Sequence, residues 1–251
     1  MRNVWTIARR EYNHFFASPI AYVVAFVILL TLGIMFALTI LIYTQSAAQG
    51  SFNGPAPAPD ITVLSGTYTF LLVLTIPALT MRLVADENRM GTMELLLTAP
   101  LRDWELIVGK WLGGFLFMLT IIALTFIYPI VLNSLESPGI DQSQMMTAYL
   151  GMILITAVFL ALGVGISSLF TNQIAAFFVT LMVFVFLYWL VGFPAQYIPA
   201  GSDLFSYLDI RAHFDALNSG VINLSDIVYY VSLITLGLFV GTASVETRRW
   251  N

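Results

Sequence analysis

Six apolar stretches, separated by shorter polar ones, occupy 20–43, 61–81, 111–132, 146–170, 174–193 and 227–245, and none contains an Asp, Glu, Lys, Arg or His. Each is close to the ~20 residues that a helix needs to cross the hydrocarbon core of a bilayer. The pattern predicts an all-α polytopic membrane protein with six transmembrane helices. The remaining residues are taken up by loops, so the chain reads as a single transmembrane domain, 1–251. The first stretch follows arginines and precedes Ser46, Ala47 and Ala48, as a signal peptide would, but at 24 residues it exceeds the ~7–15 of a signal core. We therefore expect it to stay in place as a span.

Residues 1–17 show a different periodicity. On a helical wheel Val4, Trp5, Ala8, Tyr12, Phe15 and Phe16 fall within about 120° of one another. Arg2, Thr6, Arg10 and Asn13 fill the other arc, with Arg9 at the boundary. A basic amphipathic helix with aromatic residues on one face suits a membrane surface. Ser18-Pro19 then ends it, and proline is tolerated in the first turn of the helix that follows. Thr171-Asn172-Gln173 is short enough to make spans four and five a tight hairpin. In span four, Ala161 and Gly165 are small residues four apart, which predicts close helix packing. Residues 194–226 are too polar to span but too apolar for a plain loop. One or two short helices are expected there, dipping back toward the membrane, with Asn218-Ser219-Gly220 as a stop and Ser225 as a cap for span six.

Composition agrees: 59% hydrophobic, 10% charged, mean hydropathy +0.88 and no cysteine. The absence of cysteine excludes disulfides and thiolate-ligated metals. Charge distribution says more than the net −4. Arg2, Arg9, Arg10, Arg82, Arg89, Arg102, Lys110, Arg248 and Arg249 fall on one side of a six-span topology, and of the ten basic residues only Arg211 falls on the other. By the positive-inside rule both termini and the loop between spans two and three are cytoplasmic. Asp60, Glu136, Asp141, Asp203, Asp209, Asp215 and Asp226 lie in the outer loops, where they are read as solvating charges.

Uncharged spans argue against a self-powered ion-coupled carrier, which keeps ionisable groups in the bilayer. His14 and His213 lie in segments of opposite sidedness, so no His metal pair forms within the chain. Gly109-Lys110 lacks the preceding glycine and following Ser/Thr of a phosphate-binding loop, and no basic patch suggests nucleic acid.

The densest charge is in 81–114, where a helix over 86–98 would end before Pro100. Its Met90, Met93 and Leu97 share one face, and Asn88, Thr92 and Leu95 the opposite one. An apolar residue on the water side suggests a second contact surface. The order Glu87-x3-Gly91-Thr92-x-Glu94-Leu95-Leu96, then Pro100 and Gly109-Lys110, resembles the permease subunits of type-two ATP-binding-cassette transporters. Arg10, Glu11, Ser18-Pro19 and the long outer segment between spans five and six are similar to that family too. Residues 205–230 further resemble its gliding-motility-type subgroup. The resemblance implies a coupling helix that contacts a cytosolic ATPase through Glu87, Arg89, Gly91, Thr92, Glu94 and Leu95. It also implies an interfacial helix carrying Trp5, Arg9, Arg10, Glu11 and Tyr12. A second permease half, homo- or heterodimeric, is implied as a partner. No cofactor is expected in this chain; ATP and Mg would sit in the ATPase subunit. The function so implied is an ATP-driven transporter subunit, in the exporter direction, in the inner membrane. A membrane scaffold for a cell-envelope complex and a secondary carrier remain the alternatives.

Overall fold

The computed structural model describes residues 2–48, 61–85, 102–135, 139–197 and 202–249. Among these every regular element is helical. Helix α1 (Arg2–Ala17) is separated by Ser18 alone from α2 (Pro19–Ala48), so the Ser18-Pro19 boundary falls where the sequence places it. Helix α3 (Thr62–Leu83) follows, then α4 (Asp103–Thr125) and α5 (Ile127–Leu135). Next come α6 (Gln142–Leu169) and α7 (Gln173–Val185), the latter continued by a π-helical turn, Phe186–Leu190. Three short helices, α8 (Phe193–Tyr197), α9 (Ser202–Leu208) and α10 (Ile210–Asn218), precede α11 (Leu224–Arg249). Six helical segments are long and apolar enough to cross a membrane.

Local chemistry sets the boundaries. The Asp141 carboxylate accepts from the Ser143 and Gln144 amides and starts α6. Asn172 does the same for α7 through the Ile174 amide, which closes the expected hairpin. Gly220, at φ +93°, follows the end of α10, as the Asn218-Ser219-Gly220 stop predicts. Ser225 is not a cap. Helix α11 already begins at Leu224, and Asn223 ahead of it donates to the Asp226 carboxylate at 3.1 Å.

Two spans are less regular than their hydropathy suggests. The third is interrupted at Phe126 between α4 and α5. Pro129 has no amide hydrogen to give the Thr125 carbonyl four residues back, and its ring crowds that carbonyl. The fifth span loosens into the π turn, where the Val191 amide reaches the Phe186 carbonyl at 3.0 Å. The extra residue per turn leaves Tyr188 buried against α3.

Helix α6 is the hub: it packs on α3, α4, α7, α10 and α11, whereas α2 is peripheral. Its crossing with α11 is very close. A Cβ on Gly237 would lie 2.6 Å from the Ala161 carbonyl carbon, and one on Gly165 would collide with the Gly237 carbonyl oxygen. The predicted small-residue packing is therefore present, with α11 supplying its half through Gly237.

Between the helices, tyrosine hydroxyls meet threonines. Tyr68 reaches Thr156 at 2.9 Å, Tyr188 reaches Thr69 at 3.1 Å, and Tyr149 reaches Thr125 at 3.2 Å. Each threonine gives its own hydrogen to a carbonyl of its helix, so the tyrosine must donate. These contacts satisfy polar groups where water is absent. At about 0.6 kcal/mol each, they contribute less than the backbone approach at the glycines.

Gly237→Val should therefore lower the thermal midpoint of the detergent-solubilised protein, by an overpacking cost of about 1–3 kcal/mol. Gly66→Ala is the control: no heavy atom lies within 4 Å of the added Cβ, and helix propensity favours alanine. Equal midpoints for the two variants would contradict the close crossing.

Candidate functional site

The coupling residues Glu87, Arg89, Gly91, Thr92, Glu94 and Leu95 all lie outside the described residues. What the structure describes is the frame that holds the two ends of their segment.

On one side, the chain leaves α3 through the buried residues Leu83, Val84 and Ala85, and the Ala85 amide donates to Ser167 Oγ of α6 at 3.2 Å. Ser244 Oγ of α11 donates to the neighbouring Ser168 carbonyl at 2.9 Å. On the other side, α4 begins at Asp103, eight residues before the apolar stretch that predicted it. Its first turns carry Glu105 and Lys110, both buried. The uncharged third span thus has a charged, buried beginning that hydropathy alone did not include. Trp111 Nε1 ties α4 to α6 by donating to the Ala157 carbonyl at 3.0 Å.

Helix α1 accounts for that burial. It packs side by side with α4, both running in the same direction. Asn3 Nδ2 donates to Glu105 Oε2 at 3.1 Å. A Cβ on Gly109 would lie 2.7 Å from Ile7 Cβ, and one on Gly113 would lie 2.6 Å from Glu11 Cβ. Phe15 stacks on Phe117 at 5.1 Å between centroids. Gly109-x3-Gly113 is therefore the surface on which α1 sits.

The centre of this contact is ionic. Glu11 Oε1 accepts from Lys110 Nζ at 3.2 Å and from Arg10 Nη2 at 2.7 Å. Lys110 and Glu11 are buried, while the Arg10 side chain is half exposed. Burial alone would raise the Glu11 pKa, but the Lys110 ammonium and the Arg10 guanidinium outweigh it and hold the carboxyl below its usual range.

Of the residues expected on an interfacial helix, Arg10, Glu11 and Tyr12 are brought into this contact, Tyr12 through its hydroxyl to Thr120 at 3.2 Å. Trp5 and Arg9 stay exposed. The predicted apolar arc is thereby split. Its Val4, Ala8 and Phe15 side faces α4 together with Ile7 and Glu11, which the wheel had left outside the arc. Trp5, 57% exposed, and Phe16, 39% exposed, remain on the outside.

A second buried cluster occupies the opposite end of the bundle. His213 Nε2 lies 2.8 Å from the Tyr207 carbonyl, which can only accept, so this nitrogen carries a hydrogen. Nδ1 lies 2.6 Å from the Asp226 carboxylate, a contact that needs a proton between the two atoms. The ring stacks on Tyr229 at 4.1 Å, and the Tyr229 hydroxyl donates to the Leu208 carbonyl at 2.7 Å. Asp226 is thus not a solvating loop charge, as expected from sequence; it locks α9 and α10 onto the start of α11. Asp209 caps α10 through the Arg211 amide, and Arg211 lies over the Tyr188 ring at 5.9 Å. A pairing thirteen residues apart between one helix and the start of the next leaves no periodic trace, so the sequence did not reveal it.

The Glu11–Lys110 contact makes a direct prediction. Lys110→Met should cost about 3 kcal/mol of stability, because it strips the buried cation from a buried carboxylate. Glu11→Leu/Lys110→Met, which removes both charges, should melt closer to wild type. The folded pKa of Glu11 is lowered, so the stability it brings is present above 4.5 and is lost as pH falls through the lowered value. The gap in thermal midpoint between wild type and Glu11→Gln should hold at neutral pH and close in acid. A gap that widens in acid would contradict the sign.

The chain is similar to known proteins. A family model described as "ABC-2 family transporter protein" matches residues 5–245. The chain is also 26% identical over 151 residues to "Probable ABC transporter permease protein NosY" of Stutzerimonas stutzeri. That alignment covers 59% of this chain and 52% of the relative, so the chain spans about half the length of the curated relative it matches. With six apolar helices among the described residues and a family match running from α1 to the last turns of α11, the chain belongs to the ABC-2 family of transporter proteins.

Proposed function

We propose that this subunit is one half of an exporter. It pairs with a second six-span half and with two cytosolic ATPase subunits, in a cytoplasmic or inner membrane, with both termini on the ATPase side. ATP and Mg would be held by the ATPases and no cofactor by this chain. The observation that carries the reading is the family match over residues 5–245. The grouping of nine of the ten basic residues on one side of the topology supports the orientation.

In this reading, closure of the ATPase pair pushes on the segment from Glu87 to Thr98. The segment leaves α3 where Ala85 is bonded to α6, and rejoins the bundle at α4, where Glu105 and Lys110 are bonded to α1. Neither end hangs on a lone helix. A push is therefore delivered to α3 and α6 on one side and to α1 and α4 on the other, and these pairs can move as bodies. Gly91 would let the ATPase backbone approach closely. Glu87 and Glu94 would meet basic residues of the ATPase, with Arg89, Thr92 and Leu95 completing the contact. Helix α1, with Trp5, Phe16 and Arg9 facing outward, would rest at the bilayer boundary while clamped to α4.

Glu94→Arg tests the proposal. The wild-type subunit extracted in mild detergent should retain an ATPase subunit, and the variant should lose it or uncouple its ATP hydrolysis from transport. Unchanged ATPase retention and coupling in Glu94→Arg would remove this segment as the coupling element.

A further inference from the structure

Between α1 and α4 runs an open groove of about 560 Å³, within the usual range for small-molecule sites. Trp5, Arg9, Tyr12 and Asn13 line it from α1, and Leu116, Leu119, Thr120 and Ala123 from α4. Its two ends differ chemically. Ile7 lies beside Gly109 and Glu11 beside Gly113, so Arg9 and Trp5 stand at the level of the first half of α4. Leu116 to Ala123 extend about 10 Å further along the helix and offer almost only hydrocarbon, with the Thr120 hydroxyl occupied by Tyr12 and by the Leu116 carbonyl. Arg10 is engaged by Glu11. Arg9 forms none of the ion pairs found among the described residues. A cationic mouth and an apolar trough make the shape of an amphiphile.

We propose that this groove holds one anionic phospholipid, with its phosphate on Arg9 and an acyl chain along Leu116, Leu119 and Ala123. A guanidinium offers a planar fork to phosphate oxygens, the Trp5 indole N–H is a further donor on the same side, and the Asn13 amide lies one turn further along α1. The acyl chain covers the side of α4 that α1 leaves open. The lipid acts as a third member of the α1–α4 contact, a resident ligand and not the cargo. The inference rests on α1 lying at the bilayer boundary, as proposed above.

The test is native mass spectrometry of the full-length subunit, purified with whatever ATPase it retains, delipidated, and titrated with phosphatidylglycerol or phosphatidylcholine of matched acyl chains. One phosphatidylglycerol per protomer should be retained with about tenfold tighter apparent binding than phosphatidylcholine. Arg9→Ala should abolish that preference, and Arg9→Lys should restore part of it. Ala123→Trp should weaken retention of both lipids. Ala123 is exposed, so the added ring should leave the thermal midpoint unchanged. Equal retention of the two lipids, or retention indifferent to both Arg9→Ala and Ala123→Trp, overturns the proposal. Displacement of phosphatidylglycerol by inorganic phosphate would make the site one for a free anion and overturns it as well. Loss of the lipid preference with the ATPase still bound defeats this inference alone. Lipid binding without any ATPase defeats the coupling reading alone.

Discussion

The Glu11–Lys110 contact governs how this subunit is put together. Isolated in an apolar setting, a carboxylate or an ammonium costs several kcal/mol to desolvate. Here each removes much of the other's cost, and Arg10 takes a share at the exposed edge. The pair can form only because Gly109 and Gly113 let the two backbones approach until no Cβ would fit. Once formed, it makes α1 part of the bundle. The helix that the sequence suggests should lie on the membrane forms an added wall on α4, matched to it from Asn3 at Glu105 to Phe15 at Phe117. The beginning of α4 is thereby stiffened at the point where the chain returns from the segment carrying Glu87 and Glu94.

Much of this fold is legible in the residue pattern. Six uncharged stretches give six spanning segments among the described residues, Ser18-Pro19 gives the break between α1 and α2, and Asn218-Ser219-Gly220 gives the end of α10. Such features are local: they depend on apolar run length, a missing amide hydrogen, or a glycine at positive φ. Others were visible but carried another meaning. Gly109-Lys110 was read for what it is not, a phosphate loop, while its packing value lay in Gly113, four residues on. Pro129 sits in the third span in plain view, yet run length alone cannot say that the helix will break at Phe126. The least legible features pair residues far apart in the chain. Nothing near Glu11 announces Lys110, ninety-nine positions away, and an apolar wheel sorts a carboxylate to the water side by construction.

The candidate coupling site divides in the same way. Its residues were named from a motif and not from periodicity, and the described structure stops on either side of them. Its supports are physical: a buried amide-to-serine bond at the end of α3, and a buried ion pair at the start of α4. Both ends are fixed to different partners. A displacement of the intervening segment relative to the bundle must then move pairs of helices or break those bonds. The bonds cost more to break than a sliding apolar contact, so movement of the pairs is the cheaper response.

The two ends of the bundle also differ in how their charge is closed. At the α1–α4 end, Glu11, Lys110 and Glu105 join segments separated by about a hundred residues. At the other end, His213, Asp226, Tyr207 and Tyr229 close within one stretch of chain. The cap they form sits on the start of α11 and is also bonded to α3 and α6, where Ser65 Oγ and Gln144 Nε2 donate to Asn218. At the α1–α4 end the bonds from Asn3 to Glu105, from Lys110 to Glu11 and between Tyr12 and Thr120 tie one helix to the other. In the proposed coupling, motion introduced near Glu87–Thr98 would pass between α1 and α4 at that end, while the His213–Asp226 contact would keep α10 and the start of α11 together as the spans move. That difference suits the proposed drive from one side: long-range ties where the force would enter, and a short-range contact holding the far end together.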